Sequence, residues 1–159
     1  MFTWKKPEKV TEPVLRYTSG AHTMQFKGQI NGTPVHILMD TGASGTGFID
    51  RGHCNVENIK MKPAPPGQFI VLGDNSRVPA TNIAEITLKM GTYKSKVECL
   101  VVEKLAGYPL ILGNPWLLDN NADMSFLRKQ VVLQKPNGQQ ICLNAIQKKT
   151  IETENYLGL

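Results

Sequence analysis

The sequence predicts an all-β domain, either a closed barrel or a sandwich, and three observations support this fold class. The chain has 159 residues, of which 41% are hydrophobic, and this suits one folded domain with a modest core. Short apolar segments recur at close spacing and are separated by turn residues. A convincing helix start is present at one segment, near Asn114.

The domain is predicted to span residues 23–143. Residues 1–22 are polar, contain two prolines and follow neither a helical nor a strand period, so we expect an extended lead-in. Residues 144–159 are also polar, and we expect a tail or linker there.

The first two strands are predicted on either side of Asn31-Gly32, a dipeptide typical of two-residue hairpin turns. The second of them, Val35 to Met39, leads directly into Asp40. A further hairpin is predicted from Phe69 to Ala80, with polar turn residues in its middle.

Alternation then predicts strands at Glu85 to Met90 and Ser95 to Val102, which flank Gly91-Thr92. Leu110 to Leu112 reads as a buried strand that Gly113 ends. We expect Asn114 to cap a short helix with Pro115 at its first position. Two more strands are predicted near Met124 to Phe126 and Val131 to Gln134.

Charge and cysteine usage argue against several classes of function. The net charge of +5 is spread in short basic pairs without interleaved aromatic residues, so no dedicated nucleic-acid site is expected. The three cysteines, Cys54, Cys99 and Cys142, have no metal-ligand spacing, so we expect free thiols, no metal and no cofactor. No apolar run is long enough to span a membrane, and no secretion signal opens the chain.

One carboxylate stands directly after an apolar strand in the stretch ILMDTGASGTGFID, from Ile37 to Asp50. Burying an aspartate is costly unless its carboxylate is paired or hydrogen-bonded. The small residues after Asp40 predict a sharp turn that lets another group approach closely. Asp40 could instead be a turn residue that hydrogen-bonds its own backbone.

Two motifs in a fixed order favour a chemical role for Asp40. Asp40-Thr41-Gly42 follows an apolar strand, and Ile111-Leu112-Gly113 leads into a helix that contains Trp116. In this order they resemble the retroviral-type aspartic proteases, the retropepsins, and the stretch ILGNPWL is most similar to proteases of Ty3/gypsy-type retrotransposons. The resemblance covers Thr23 to Gln134, and it implies a closed β-barrel with one short helix that is active as a homodimer.

The resemblance also implies the residues of the site. Asp40 would be the catalytic carboxylate, Thr41 would hydrogen-bond to the partner's loop, and Gly42 would admit the substrate backbone. The Phe69–Ala80 hairpin would be a flap that closes over a bound peptide. The expected substrate-binding residues are Leu38, Ala43, Ser44, Leu72, Gly73, Asp74, Tyr108 and Ile111, with Leu72, Gly73 and Asp74 as alternatives for the flap tip.

A homodimer follows from the number of motifs. An aspartic protease needs two carboxylates about 3 Å apart that share one proton, and this chain has a single such motif, so each chain must contribute one Asp40. Ser44 and Asn114 stand where many retroviral members have an Asp–Arg ion pair, so the dimer would lose one support. It would then depend on strands at Ala122–Phe126 and Val131–Gln134.

We therefore predict a homodimeric aspartic endopeptidase that cuts a retroelement polyprotein, itself included. Its partners would be a second copy and a polypeptide substrate, and its location the cytoplasm, within virus-like particles. One alternative is a retropepsin-like module for dimerisation or binding with little or no proteolytic activity. Another is a β-barrel that binds single-stranded nucleic acid, which rests on the net charge alone.

Overall fold

The computed structural model describes residues 13–15, 23–72, 75–105 and 107–147, and strands in three sheets dominate these residues. The strands are β1 (Val14–Leu15), β2 (Thr23–Ile30), β3 (Thr33–Asp40), β4 (Gly47–Asp50), β5 (Lys62–Pro63), β6 (Phe69–Leu72), β7 (Arg77–Pro79), β8 (Asn82–Met90), β9 (Tyr93–Val102), β10 (Leu110–Leu112), β11 (Asp123–Ser125), β12 (Gln130–Gln134) and β13 (Gln140–Asn144). The helices are α1 (Arg51–Val56) and α2 (Asn114–Asp119).

The largest sheet closes on itself as a barrel. Its strands follow the order β2-β3-β10-β4-β9-β8-β5, and β2 also pairs with β8, so that a ring of six strands forms. Closure removes the exposed edges that an open sheet would present. The predicted closed β-barrel is confirmed.

Turn residues explain where the first strands reverse and how the ring closes. Asn31 and Gly32 have φ angles of 50° and 87°, which a two-residue hairpin turn of this kind requires. The Asn31 side-chain oxygen accepts a hydrogen bond of 2.8 Å from the Thr87 N–H, and the Asn31 N–H donates to the Thr87 carbonyl at 2.9 Å. The same turn that joins β2 to β3 therefore also fastens β2 to β8.

Two apolar clusters lie on the two faces of the barrel wall. Inward side chains such as Ile86, Leu88 and Met90 of β8, none more than 1% exposed, fill the barrel. A smaller cluster, here called the cleft cluster, packs on the opposite face because neighbouring residues of a strand point to opposite sides. Its buried members are Leu38, Ala43, Phe48, Ile70, Ala80, Val102, Leu105 and Ile111.

The hairpin predicted from Phe69 to Ala80 is present as β6 and β7, and β1 adds a third strand parallel to β6. The remaining sheet is the antiparallel meander β11-β12-β13, and Val131, Leu133, Ile141 and Leu143 pack from it against the barrel core.

The meander corrects one expectation about the dimer. β12 is its central strand and pairs with both β11 and β13 of the same chain. Its backbone groups are therefore already used, and Val131–Gln134 cannot pair with a second chain as we expected. Among the described strands of this sheet, β11 and β13 hold the outer edges.

Both helices differ from the expectation. α1 was not predicted, although Asp50 is its N-cap and accepts a hydrogen bond from the His53 N–H at 3.1 Å. α2 begins at Asn114 itself, so Asn114 is not the cap and Pro115 is the second helical residue. Gly113 holds the cap position and has no side chain that could cap the helix. The N–H groups of Gly113 and Asn114 bond instead to the loop that follows Asp40.

The predicted lead-in of residues 1–22 and tail of residues 144–159 fall mostly outside the described residues, apart from residues 13–15 and 144–147. None of the helices in the described part of the chain combines the length and the hydrophobicity needed to cross a bilayer.

Candidate active site

Asp40 is the last residue of β3, where it is opposite Thr23 of β2. Its side chain is completely buried, with 0% exposure. The Gly42 N–H donates to Asp40 Oδ1 at 2.8 Å, and the Ala43 N–H donates to the Asp40 carbonyl oxygen at 3.2 Å. The chain therefore turns back directly after the carboxylate, and the turn fixes the orientation of the carboxylate.

The loop after Asp40, residues 41–46, is supported from behind by the start of α2. The Gly113 N–H donates to the Thr46 carbonyl at 3.1 Å, and the Asn114 N–H donates to the Ala43 carbonyl at 2.7 Å. A Cβ atom at Gly113 would overlap the Gly45 carbonyl oxygen. The two motifs that lie far apart in sequence thus meet, and glycine is required at their contact.

β10 lies between β3 and β4, parallel to the first and antiparallel to the second. Ile111 is consequently opposite both Leu38 and Phe48, and the three side chains form a row in the cleft cluster. Ile70 of the flap belongs to the same cluster. Leu38 and Ile111 are at most 2% exposed, so in this conformation they form the floor beneath the flap.

Tyr108 is half-buried against the cleft cluster, and its hydroxyl accepts a hydrogen bond from Gln25 Nε2 at 2.8 Å. The segment before β10 is held by Asp50, whose Oδ1 accepts from the Leu105 N–H at 3.0 Å and whose N–H donates to the Pro109 carbonyl at 3.0 Å. Sequence reasoning missed both supporting residues. Asp50 could have been found as an aspartate preceding a short helix, whereas Gln25 carries no such signal.

The other predicted site residues differ in how exposed they are, and two of them lie outside the described residues. Thr41 is half-buried, Gly42 and Ser44 are exposed, and Ala43 is buried in the cleft cluster. Leu72 ends β6, which fixes its backbone, whereas Gly73 and Asp74 lie outside the described residues. The alternatives for the flap tip therefore stay open.

A cavity of about 280 Å³, here called the groove, lies beside this loop, between the segment before β6 and strands β8 and β9. Its lining consists of Pro13, residues 44–47, Pro65, Gln68, Ile83, Glu98, Cys99 and Leu100. Ser44 is thus the predicted site residue that lines the groove, and Asp40 does not line it.

The buried thiols offer no alternative nucleophile. Burial raises the pKa of the Cys99 thiol, and burial also raises the pKa of the Cys54 thiol against the opposing effect of Arg51. Both thiols therefore stay protonated near neutral pH, and a protonated thiol is a poor nucleophile and metal ligand. Within the described residues, no three His, Cys, Asp or Glu side chains come together in a way that could hold a metal ion.

Comparisons with known proteins identify a family and a fold. Residues 36–142 match the family model described as the PEG10/RTL1 protease domain. The retroviral protease-like domain of Ddi1 from Leishmania major aligns with a TM-score of 0.54 and 12% identity, covering 84% of this chain and 99% of that domain, a likeness of fold. The EIAV protease complexed with the inhibitor HBY-793 aligns at 22% identity with a TM-score of 0.45, covering 69% of this chain and 97% of that one. No curated protein sequence is similar enough to count as a match.

Proposed function

Because this chain belongs to the PEG10/RTL1 protease domain family and has the retropepsin-like fold, we propose that it is a homodimeric aspartic endopeptidase. Its substrate would be a retroelement polyprotein, including the chain's own precursor. The observation that carries the proposal is the turn at Asp40-Thr41-Gly42, in which a backbone N–H holds the carboxylate at the end of a barrel strand.

The chemistry needs a second carboxylate, which a second chain would supply. In the proposed dimer the two Asp40 side chains face each other at about 3 Å, and they share one proton because like charges so close cannot both ionise. The ionised carboxylate takes a proton from water as the water oxygen attacks the peptide carbonyl carbon. The protonated carboxylate gives its proton to the carbonyl oxygen. The Gly42 N–H keeps each carboxylate in position before substrate arrives.

The remaining predicted residues would have the following roles. Thr41 would bond to the partner's loop, and the exposed Gly42 and Ser44 would contact the substrate backbone. Leu38, Ala43, Tyr108 and Ile111 would bound the side-chain subsites once the flap moves, and the flap tip among Leu72, Gly73 and Asp74 would cover the peptide.

The test of catalysis is Asp40→Asn, which keeps the shape of the side chain but removes the base. We expect peptide cleavage to fall by at least about a hundredfold while circular dichroism shows an intact fold. Asp119→Asn, on the exposed side of α2, is the matched control and should retain activity. Substantial cleavage by the purified Asp40→Asn chain would refute the catalytic role.

The shared site predicts that specific activity rises with protein concentration, since each site needs two chains.

The pH–rate profile should be bell-shaped on the acid side of neutrality, and its two apparent pKa values should belong to the pair of carboxyl groups and not to either chain. Val132→Pro should disrupt the central strand of the meander and destabilise the fold itself, because β12 pairs with both β11 and β13 of its own chain. A folded monomer, by sedimentation, whose activity per chain does not depend on concentration would rule out the shared site.

A binding or dimerisation module is the second candidate, and the complete burial of Asp40 favours it. Such a module would capture apolar peptides equally well with Asp40 and with Asn at this position, and it would cleave none of them. Mass spectrometry of peptides incubated with both chains separates the two functions. For the enzyme, we propose a location in the cytoplasm within virus-like particles, where the polyprotein would be concentrated.

A further inference from the structure

The proposed flap pairs with β1, a strand that precedes the barrel strands in the chain. Val14 is opposite Val71 and Leu15 is opposite Leu72 in a parallel pairing, and the Val71 N–H donates to the Pro13 carbonyl at 2.9 Å. β6 therefore has β7 on one edge and β1 on the other. Addition of a strand to a sheet edge is a common way in which proteins bind an extended peptide.

The same segment lies beside the loop that follows Asp40. Pro13 lines the groove together with residues 44–47 and with Gln68. Pro13 thus borders the groove beside the loop, while Val14 and Leu15 occupy the edge of β6. Because β1 is parallel to β6, it runs from the base of the flap towards its turn.

The carboxylate is inaccessible in this arrangement. Asp40 has 0% exposure, whereas hydrolysis requires a water molecule and a peptide carbonyl at the carboxylate. A substrate can therefore reach Asp40 only after part of the present structure has moved away.

We propose that residues 13–15 occupy, within their own chain, the edge of β6 and the adjoining part of the groove on which a substrate strand would lie, and that they compete with substrate for this place. This inference rests on the proposed function and adds the regulation of the same site by an extended segment of the protein itself. If this place is open in only a fraction of the molecules, the apparent Kd of the substrate equals the intrinsic Kd divided by that fraction. Occupancy of about nine-tenths would weaken substrate binding by about tenfold.

The test displaces β1 without shortening the chain. In a parallel ladder, the Leu15 N–H is the group that would donate to the Val71 carbonyl, and Leu15→Pro removes it. Asp40→Asn is added to both the parent and the variant so that no peptide is cut. The probe is a fluorescein-labelled synthetic peptide of residues 9–20, whose binding is measured by fluorescence anisotropy against a scrambled peptide of the same composition.

We expect the Leu15→Pro chain to bind the probe about tenfold more tightly than the parent, with faster hydrogen exchange at the Val71 amide and an unchanged barrel. Faster exchange with equal or weaker probe binding would overturn the proposal, because β1 would then merely support the flap. An unchanged Val71 amide would overturn it too, since β1 would not be the partner of that group. The proposed catalytic function fails separately, if the Leu15→Pro chain with Asp40 intact binds the probe and hydrolyses no peptide.

Discussion

Two hairpins of this molecule, β8–β9 and β6–β7 (the proposed flap), share a local structure and differ in what supports them. The first has strands of 9 and 10 residues, and its inward side chains belong to the barrel core. The second has strands of 4 and 3 residues and contributes to the smaller cleft cluster. Segments with few buried contacts open at low free-energy cost. The long hairpin is therefore a wall of the scaffold, and the short one is suited to move.

The largest expected effect on stability comes from a core substitution in the β8–β9 hairpin. Leu88 of β8 is 0% exposed in the barrel core, and Leu88→Ala should lower the free energy of unfolding by about 2–5 kcal/mol because it leaves a cavity. Urea denaturation measures the loss. The fraction of chains that stays folded should keep its normal activity per molecule, and a selective loss of activity would show that β8 acts on the site.

The corresponding change in the flap should affect the site more than the fold. Ile70 is 1% exposed but packs in the cleft cluster, so Ile70→Ala should cost the whole domain less than Leu88→Ala does, about 2 kcal/mol or less. Peptide binding should weaken, because the flap would lose its apolar contact with the floor. A loss of stability equal to that of Leu88→Ala would mean that the flap is part of the scaffold.

The free energy of unfolding should depend on pH through Cys99, which is buried within the long hairpin. Burial raises the pKa of its thiol, so the folded chain keeps a proton that the unfolded chain loses near about pH 8.5. Stability should be complete below about pH 8.5 and fall above it, by up to about 1.4 kcal/mol per pH unit. Denaturation at several pH values should give a shallower fall for Cys99→Ala. Cys142→Ser, which alters an exposed thiol, should leave the slope unchanged.

The smallest effect is expected at the surface of the flap. The Arg77 guanidinium lies 4.4 Å from the centre of the Phe69 ring, a contact worth about 0.5–1 kcal/mol at an exposed site. Arg77→Met should therefore speed hydrogen exchange at the β6 and β7 amides by a few-fold, about the factor that such an energy implies, and leave global unfolding almost unchanged. Slower exchange would contradict a stabilising contact.

The sequence was informative wherever local chemistry decides the structure. The hairpin at Asn31-Gly32, the buried strand at Leu110–Leu112 and the turn after Asp40 were predicted because turn residues, apolar runs and small residues act over a few positions. The start of α2 was misjudged at Asn114, since its N–H bonds to the distant Ala43 carbonyl. Gln25 and β1 escaped prediction for the same reason: their partners, Tyr108 and the flap, are set by the tertiary fold. The roles of the individual site residues stay predictions.

The insertion of β10 between β3 and β4 has a consequence for the order of events during synthesis. The loop that carries Asp40 leaves the ribosome early, but its backing by Gly113 and Asn114 cannot form until the much later residues of β10 and α2 have emerged. Such contacts between distant residues form slowly because a long intervening chain must first be closed into a loop. The loop after Asp40 should therefore stay without its backing until almost the whole barrel has been translated.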